Sequence, residues 1–328
     1  MNSNSKHDMQ ENNTPKIRIS IVIPVYRGEQ SIGRLVDELV LSLGSRYHLE
    51  IVLVNDNSPD KSAAVCESLF EKYPDTVKFY SLAKNVGEHN AVMAGLNHTT
   101  GDYMVIMDDD FQNPISEVIK LADYAAQNEN DYDVIYTYYK KKHHNFFRNL
   151  GSRLNDKMAN IMLKKPKNLY LSSFKVLNRF IVEEIIKYDL PYPYIDGLIL
   201  RTTDKIGKIQ VEHHKREAGK SGYTITKLVR LWLNMFTSFS ILPLRASFIA
   251  GMIITIIGSI FGIYTVLEKF SNPNMPTGYA SLVVVVLIFA GIQLASLGVI
   301  GEYIGRIFLS FNKKPQFTIR KRFEKEDD

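Results

Sequence analysis

The sequence predicts an α/β fold, a sheet of short parallel strands covered by helices on both faces, joined to a C-terminal pair of membrane-spanning helices. Three observations predict it. Short β-branched apolar runs alternate with stretches of helical spacing from Ile17 to Asp110, the pattern of strands buried on both sides by crossover helices. Three of those runs end in polar clusters, Pro24-Val25-Tyr26, Asn55-Asp56-Asn57-Ser58 and Asp108-Asp109-Asp110. Two uncharged stretches, 246–267 and 279–301, come near the ~20 residues that cross ~30 Å of hydrocarbon as a helix.

Residues 1–15 are polar and read as a disordered leader without a signal-peptide core. RISIVIPVY is the first strand, broken at Pro24 and Gly28, and SIGRLVDELVLSL follows with the helical spacing of Ile32, Leu35, Leu39 and Leu43. Next come the strand EIVLVNDNS, the helix SAAVCESLFEKY, the strand VKFYSLA, the helix EHNAVMAGLNHT and the strand DYMVIMDDD. After Asp133 the sheet pattern weakens, and 140–167 is basic and polar with one helical piece, FFRNLGSRLNDKMANIML. IQVEHHK reads as one more strand, and its His213 and His214 as structural or surface histidines. The stretch TITKLVRLWLNMFTSFSILPL is apolar with widely spaced cations, as in helices that lie in a membrane interface. The chain thus divides into the leader, a cytoplasmic α/β domain over 16–223, interfacial helices over 224–244, a hairpin over 245–302 and a basic cytoplasmic tail over 303–328.

Over all 328 residues the mean hydropathy of −0.12 hides the apolar C-terminal third. Lys227, Arg230 and Arg245 precede the first span and Arg306, Lys313, Lys314, Arg320, Lys321 and Arg322 follow the second, whereas the connection holds Lys269 as its sole cation. The positive-inside rule puts both ends of the hairpin in the cytoplasm. The net charge of +5 is concentrated near the spans, so its partners are anionic membrane lipids and no nucleic acid is implied. Cys66, the one cysteine, can form no internal disulfide and reads as a small residue packed on its helix. Small residues in GMIITIIGSIFG and GVIGEYIG permit close packing between spans or between subunits of a homo-oligomer.

In a sheet of this kind ligands bind at the carboxyl ends of the strands. Any one polar cluster reads equally well as a turn, but three in one α/β unit point to a shared site. If DYMVIMDDD is a strand, alternation turns Asp108 and Asp110 to the same side. Two converging carboxylates call for a cation, and Mg²⁺ or Mn²⁺ takes such oxygen ligands beside phosphate oxygens.

PVYRGEQSI, VNDNSPD, KNVGEHNAVMAGLNHTTGD and MDDDFQNP, in this order, resemble the nucleotide-binding half of the inverting glycosyltransferases with the Rossmann-like A-type fold. RNLGS, KREAGKSGY, the paired spans, GEYIGRIF and KKPQFTI resemble the polyprenyl-phosphate branch of that family, which includes dolichyl-phosphate mannose synthases and bacterial undecaprenyl-phosphate glucose and aminoarabinose transferases. The resemblance implies an enzyme of the bacterial inner membrane. It would move a sugar from a nucleotide-sugar, a UDP-sugar favoured, to a polyprenyl phosphate, with Mg²⁺ or Mn²⁺ as cofactor. Pro24, Tyr26, Glu29, Asp56, Asn85, Gly87 and Asp108 would bind the donor, with Asp56 on the base edge. The family's Asp-x-Asp-x-Gln falls on Asp108, Asp110 and Gln112 as metal and diphosphate ligands, with Asp110 also as a catalytic residue.

Asn55 and Asn57 depart from the acidic residue and the glycine that many relatives carry there. Asn57 tolerates the left-handed conformation nearly as a glycine does. An anionic acceptor needs fixed cations, and Arg148, Arg153, Arg216 and Lys220 are the candidates, Arg148 and Arg216 also as catalytic groups. An alcohol acceptor needs a carboxylate base, but a phosphate oxygen is already ionised, which leaves Asp196 as an orienting catalytic carboxylate. A polysaccharide synthase is disfavoured, since its Gln-x-x-Arg-Trp signature is absent. An inactive scaffold or sensor is disfavoured by the intact Asp108, Asp110 and Gln112.

Overall fold

The computed structural model describes residues 16–139, 166, 169–212, 214, 242–271, 278–311 and 315–325. Its elements are β1 (Arg18–Val25), α1 (Ile32–Leu43), β2 (His48–Asn55), α2 (Ser62–Lys72), β3 (Val77–Leu82), α3 (Glu88–Leu96), β4 (Tyr103–Ile106), α4 (Ile115–Gln127) and β5 (Val134–Tyr139). They continue with β6 (Lys175–Asn178), α5 (Arg179–Ile185), α6 (Ile195–Thr202), β7 (Ile206–Val211), α7 (Leu242–Ser271), α8 (Tyr279–Phe311) and β8 (Ile319–Phe323).

The strands form one sheet in the order β7-β5-β6-β4-β1-β2-β3-β8. β4, β1, β2 and β3 are parallel, as the sequence predicts for the first half. The sheet as a whole is mixed, which corrects the all-parallel expectation: β6 runs against both β4 and β5, and β8 runs against β3. The reversal at β6 follows from where the chain re-enters. β5 leaves the sheet at its carboxyl edge and β6 begins there, Tyr136 opposite Lys175, so β6 can only run back. The sheet also continues past Asp133, where the sequence pattern fades.

Both faces are covered. Leu35, Leu39, Cys66, Leu69, Val118 and Leu121 of α1, α2 and α4 pack on one side. Ala91, Met93, Ile181, Ile185 and Ile199 of α3, α5 and α6 pack on the other. The helical spacing of α1 places Ile32, Leu35, Leu39 and Leu43 inward as read from sequence, and Val36 is buried with them. Asn178 caps α5 by accepting the Ile181 N–H at 3.0 Å.

α7 and α8 contain 30 and 33 residues, about 45 and 50 Å at 1.5 Å per residue. They outrun the uncharged stretches at both outer ends and pack together, with Gly258 of α7 facing the Phe289 ring of α8. Phe248, Ile257, Ile260, Leu294, Leu297 and Ile307 are exposed along them. Among the described residues no helix is long and apolar enough to cross a membrane. Many side chains within both helices lie outside that set, and the complete sequence retains the uncharged runs 246–267 and 279–301. The leader 1–15 and the expected interfacial helices, up to residue 241, lie outside the described residues.

Part of the basic tail is a strand of the sheet. Phe323 of β8 stacks on Phe79 of β3 at 5.5 Å and 21°. Lys321 meets Glu67 at 2.7 Å and Lys325 meets Asp75 at 2.5 Å. Phe323 packs against the core on the α1, α2 and α4 side and Ile319 on the opposite side, the change of face coinciding with a register shift in the β3–β8 ladder between Ser81 and Leu82, while Arg320, Lys321 and Arg322 stay exposed.

Candidate active site

The carboxyl ends of β1 and β2 are stitched together. Pro24 pairs with Val54 near the end of β1. Tyr26 follows, exposed, with the Arg27 guanidinium 5.6 Å from its ring centre. Arg27 donates its N–H to Ser58 Oγ at 3.1 Å, and Gly28 donates to Ser62 Oγ at 2.9 Å. Glu29 accepts the Lys61 N–H at 2.9 Å and gives its own N–H to Asp60 at 3.4 Å. Asn57 takes φ 50°, the left-handed turn its asparagine was expected to tolerate. Pro24 lies in β1 and Tyr26 and Glu29 in the loop that follows, and the Val25 carbonyl between them accepts the Asp56 N–H at 3.0 Å.

Asp56 is buried and holds a neighbouring loop. Its Oδ1 accepts the Val86 N–H at 2.7 Å and its Oδ2 the Gly87 N–H at 2.9 Å, while Asn85 donates its side-chain amide to the Asp56 carbonyl at 3.1 Å. Burial raises the Asp56 carboxyl above the ordinary carboxylate value, and the two amides pull it back. Gly87, at φ 91°, occupies a conformation that suits glycine and opens α3. Asp56, Asn85 and Gly87 therefore form one braced unit.

β4 ends at Ile106, so Asp108-Asp109-Asp110 lie in the loop after the strand and alternation does not orient them. This corrects the geometric premise. The loop turns through Phe111, at φ 58°, and each acid takes its own direction. Asp108 accepts the Ser173 hydroxyl at 2.8 Å. Asp109 lies against the β1 loop, where a Cβ on residue 28 would fall 2.2 Å from its Oδ2; only a glycine permits this approach. Asp110, buried, accepts the Gln112 N–H at 3.1 Å. Gln112 is itself fixed by His214, whose N–H donates to the Gln112 carbonyl at 2.8 Å.

Tyr139 at the end of β5 donates to Asn113 Oδ1 at 3.3 Å. Burial, Tyr170 and the charges of Asp108 and Asp110 push its phenol up to about 12, so it stays a neutral donor beside both acids. Among the described residues no three His, Cys, Asp or Glu side chains gather as a metal cage. Asp108 and Asp110, which both act on the Tyr139 phenol, offer the oxygen ligands that a hard divalent ion takes beside substrate phosphates and water.

Asp196, in the first turn of α6, is buried and paired. Lys175 of β6 forms an ion pair with its Oδ1, with both side chains at most 10% accessible. The Tyr136 hydroxyl donates to the same oxygen at 2.8 Å. His89 of α3 meets Tyr194 edge-on at 5.3 Å. Its imidazole, densely surrounded though not sealed from solvent, is lowered to about 4 by burial; Asp196 opposes the shift and Lys175 adds to it. The Asp196 Oδ1 is thus already engaged by an ammonium and a phenol.

Arg148, Arg153, Arg216 and Lys220, together with His213, lie outside the described residues. Sequence reasoning missed Ser173, Lys175, Tyr136, Tyr139 and His89. One signal was available for Lys175: a lone cation opening the apolar run KVLN, which can be buried only with a partner. For the others the partners are distant in sequence.

Residues 20–186, about half the chain, match the family described as Glycosyl transferase family 2. Residues 242–307 match the GtrB C-terminal hairpin. An undecaprenyl-phosphate 4-deoxy-4-formamido-L-arabinose transferase of Sodalis glossinidius is 33% identical over 308 residues, covering 92% of this chain and 93% of the relative. Its namesake in Yersinia pestis is 31% identical, with 94% of each chain covered. A crystal structure of M. tuberculosis glucosyl-3-phosphoglycerate synthase with Mn²⁺, UDP-glucose and phosphoglyceric acid is 15% identical at a TM-score of 0.47, covering 67% of this chain and 78% of that one. With residues 20–186 matched and a relative 33% identical across nearly its whole length, this chain belongs to glycosyl transferase family 2 and is a glycosyltransferase.

Proposed function

We propose that the enzyme transfers a sugar from a nucleotide-sugar, a UDP-sugar favoured, to undecaprenyl phosphate at the cytoplasmic face of the bacterial inner membrane, for modification of a cell-envelope glycan. The observation that carries the reading is that one sheet holds both the strand-end acids and the strand that returns from the hairpin. A donor site and an apolar anchor are thereby built into one unit. The near full-length likeness to transferases named for undecaprenyl phosphate supports the acceptor. Their 4-deoxy-4-formamido-L-arabinose is the first donor sugar to test.

The reaction is a displacement at the anomeric carbon. An ionised oxygen of the lipid phosphate forms the new C–O bond, the bond to the nucleoside diphosphate breaks with its electron pair leaving on the diphosphate, and the configuration inverts. No proton need move. Asp56, Asn85 and Gly87 shape the nucleoside side, with Pro24, Tyr26 and Glu29 along the neighbouring loop. Asp108, Asp110 and Gln112 would hold Mg²⁺ or Mn²⁺, which offsets the charge growing on the diphosphate. Asp196, engaged by Lys175 and Tyr136, suits an orienting role better than a proton-accepting one. Arg148, Arg153, Arg216 and Lys220 remain the candidates for the acceptor phosphate. Purified enzyme in detergent, given undecaprenyl phosphate, Mg²⁺ or Mn²⁺ and a panel of labelled nucleotide-sugars, should carry label into the organic phase; no labelled lipid with any donor would overturn the reading.

The hairpin is proposed to cross the membrane twice. β1–β7 precede it and β8 follows it in the same sheet, so the chain between them makes an even number of crossings. The flanking cations and the lone Lys269 of the connection favour the sheet side as cytoplasmic. Reporters fused at the N-terminus and after Asp328 should both report cytoplasm, and one inserted at Asn274 the far side. Termini on opposite sides would rule the hairpin out.

A further inference from the structure

We propose that the segment leaving the hairpin, Gln316 to Ile319, is a strut that holds the two loops flanking the active site at the spacing the transfer needs, with Gln316 as its positioning residue. The inference rests on the proposed transfer reaction for its kinetic consequence, though not for its structural one.

Gln316 is buried. Its Nε2 donates to the Tyr188 carbonyl at 2.5 Å and to the Leu190 carbonyl at 2.9 Å, so both amide hydrogens are spent on the chain between α5 and α6. That chain runs directly into Tyr194 and Asp196, the start of α6. Two residues beyond Gln316, the Thr318 carbonyl accepts the Ala83 N–H at 2.8 Å. Ala83 follows β3 and leads into Asn85, Val86 and Gly87, whose other side is bound by Asp56. Phe317 and Ile319, between and beside these contacts, pack on the apolar cluster of α3, α5 and α6. One short stretch therefore ties down the Asp56-braced loop and the Asp196 loop together.

The strut is also close to the hairpin. α8 ends at Phe311, and the five peptide steps to Gln316 reach at most about 18 Å. Where the hairpin sits is thus linked by a short tether to where both loops sit. Because Gln316 grips the Asp196 loop and the Thr318 carbonyl grips the donor loop, removing the Gln316 side chain should loosen one loop and spare the other.

The test uses full-length enzyme in lipid nanodiscs, comparing wild type with Gln316→Ala and with Gln316→Glu, which keeps the shape but loses both donors. Backbone amide exchange should quicken about tenfold in 188–196 and stay unchanged in 83–87 and in β1 and β2. Turnover number should fall about tenfold, with the donor KM within about twofold of wild type. Unchanged exchange in 188–196, or faster exchange spread over the whole sheet with a matching fall in melting temperature, would overturn the strut. So would a shared loss of donor affinity and turnover. If wild-type enzyme transfers no sugar to the lipid, the transfer reading fails, and the exchange measurement still decides whether Gln316 positions the loop.

Discussion

Asp110→Asn should retain the fold and membrane insertion and lose sugar transfer by a factor of about 10²–10³, or roughly 3–4 kcal/mol of transition-state stabilisation. The side chain is buried and accepts the Gln112 N–H at 3.1 Å, a bond that the asparagine carbonyl oxygen can still accept. What disappears is the charge. In the proposed reaction the departing diphosphate would gather negative charge next to Asp108, Asp110 and Tyr139, and without the second carboxylate a divalent ion would be held too weakly to offset it. The check is turnover at saturating Mg²⁺ alongside a melting curve and nucleotide binding with and without the ion. Wild-type turnover by the variant, or undiminished turnover of the native enzyme in excess chelator, would exclude the metal role.

Lys175→Met is expected to cost about 3–5 kcal/mol of stability, because it strands the buried Asp196 carboxylate. Both side chains of the pair are at most 10% accessible, so water cannot replace the lost ammonium, and the Tyr136 hydroxyl satisfies one bond of a charge that needs more. Pairing the change with Asp196→Leu removes the stranded charge and should recover much of the loss, since apolar replacements of buried ion pairs are often neutral. Denaturant melts of the single and double variants measure this. A single variant within about 1 kcal/mol of wild type would mean the pair is solvated in solution. Activity separates the roles: a double variant that regains stability but not turnover makes Asp196 an orienting group, and one that regains both makes it structural.

The first half of the fold was legible because its signals are local. β1, β2 and β3 are runs of apolar β-branched and aromatic residues, and α1 shows its inward face by spacing. The acids of the proposed site could be picked out as residues, since Asp56 follows β2 and Asp108 and Asp110 follow β4. Their orientation could not. β4 stops at Ile106, and the loop beyond turns each acid by contacts with Ser173 and Gly28, which lie elsewhere in the chain, and with Gln112 of the same loop. β6 was missed because it has four residues and opens on a lysine, which argues against a buried strand until Asp196 is known to face it. β8 was read as tail because Arg320, Lys321 and Arg322 dominate it; the two inward residues of so short a strand give too little period to see. Pairing across a long interval, as of β3 with β8, leaves no trace in either segment alone.

That last pairing has a consequence for how the protein is made. Tyr80 of β3 bonds Glu324, 244 positions later, and Phe79 waits for Phe323. During synthesis the β3 edge, Val77–Leu82, emerges early and stays without its neighbour until the hairpin has been made and β8 has returned. An open apolar strand edge is a site for mispairing between nascent chains. Closure of the sheet is thereby placed after synthesis of the hairpin, so a chain that stops before β8 is left with an incomplete sheet and an adhesive edge, the kind of surface that chaperones and proteases recognise.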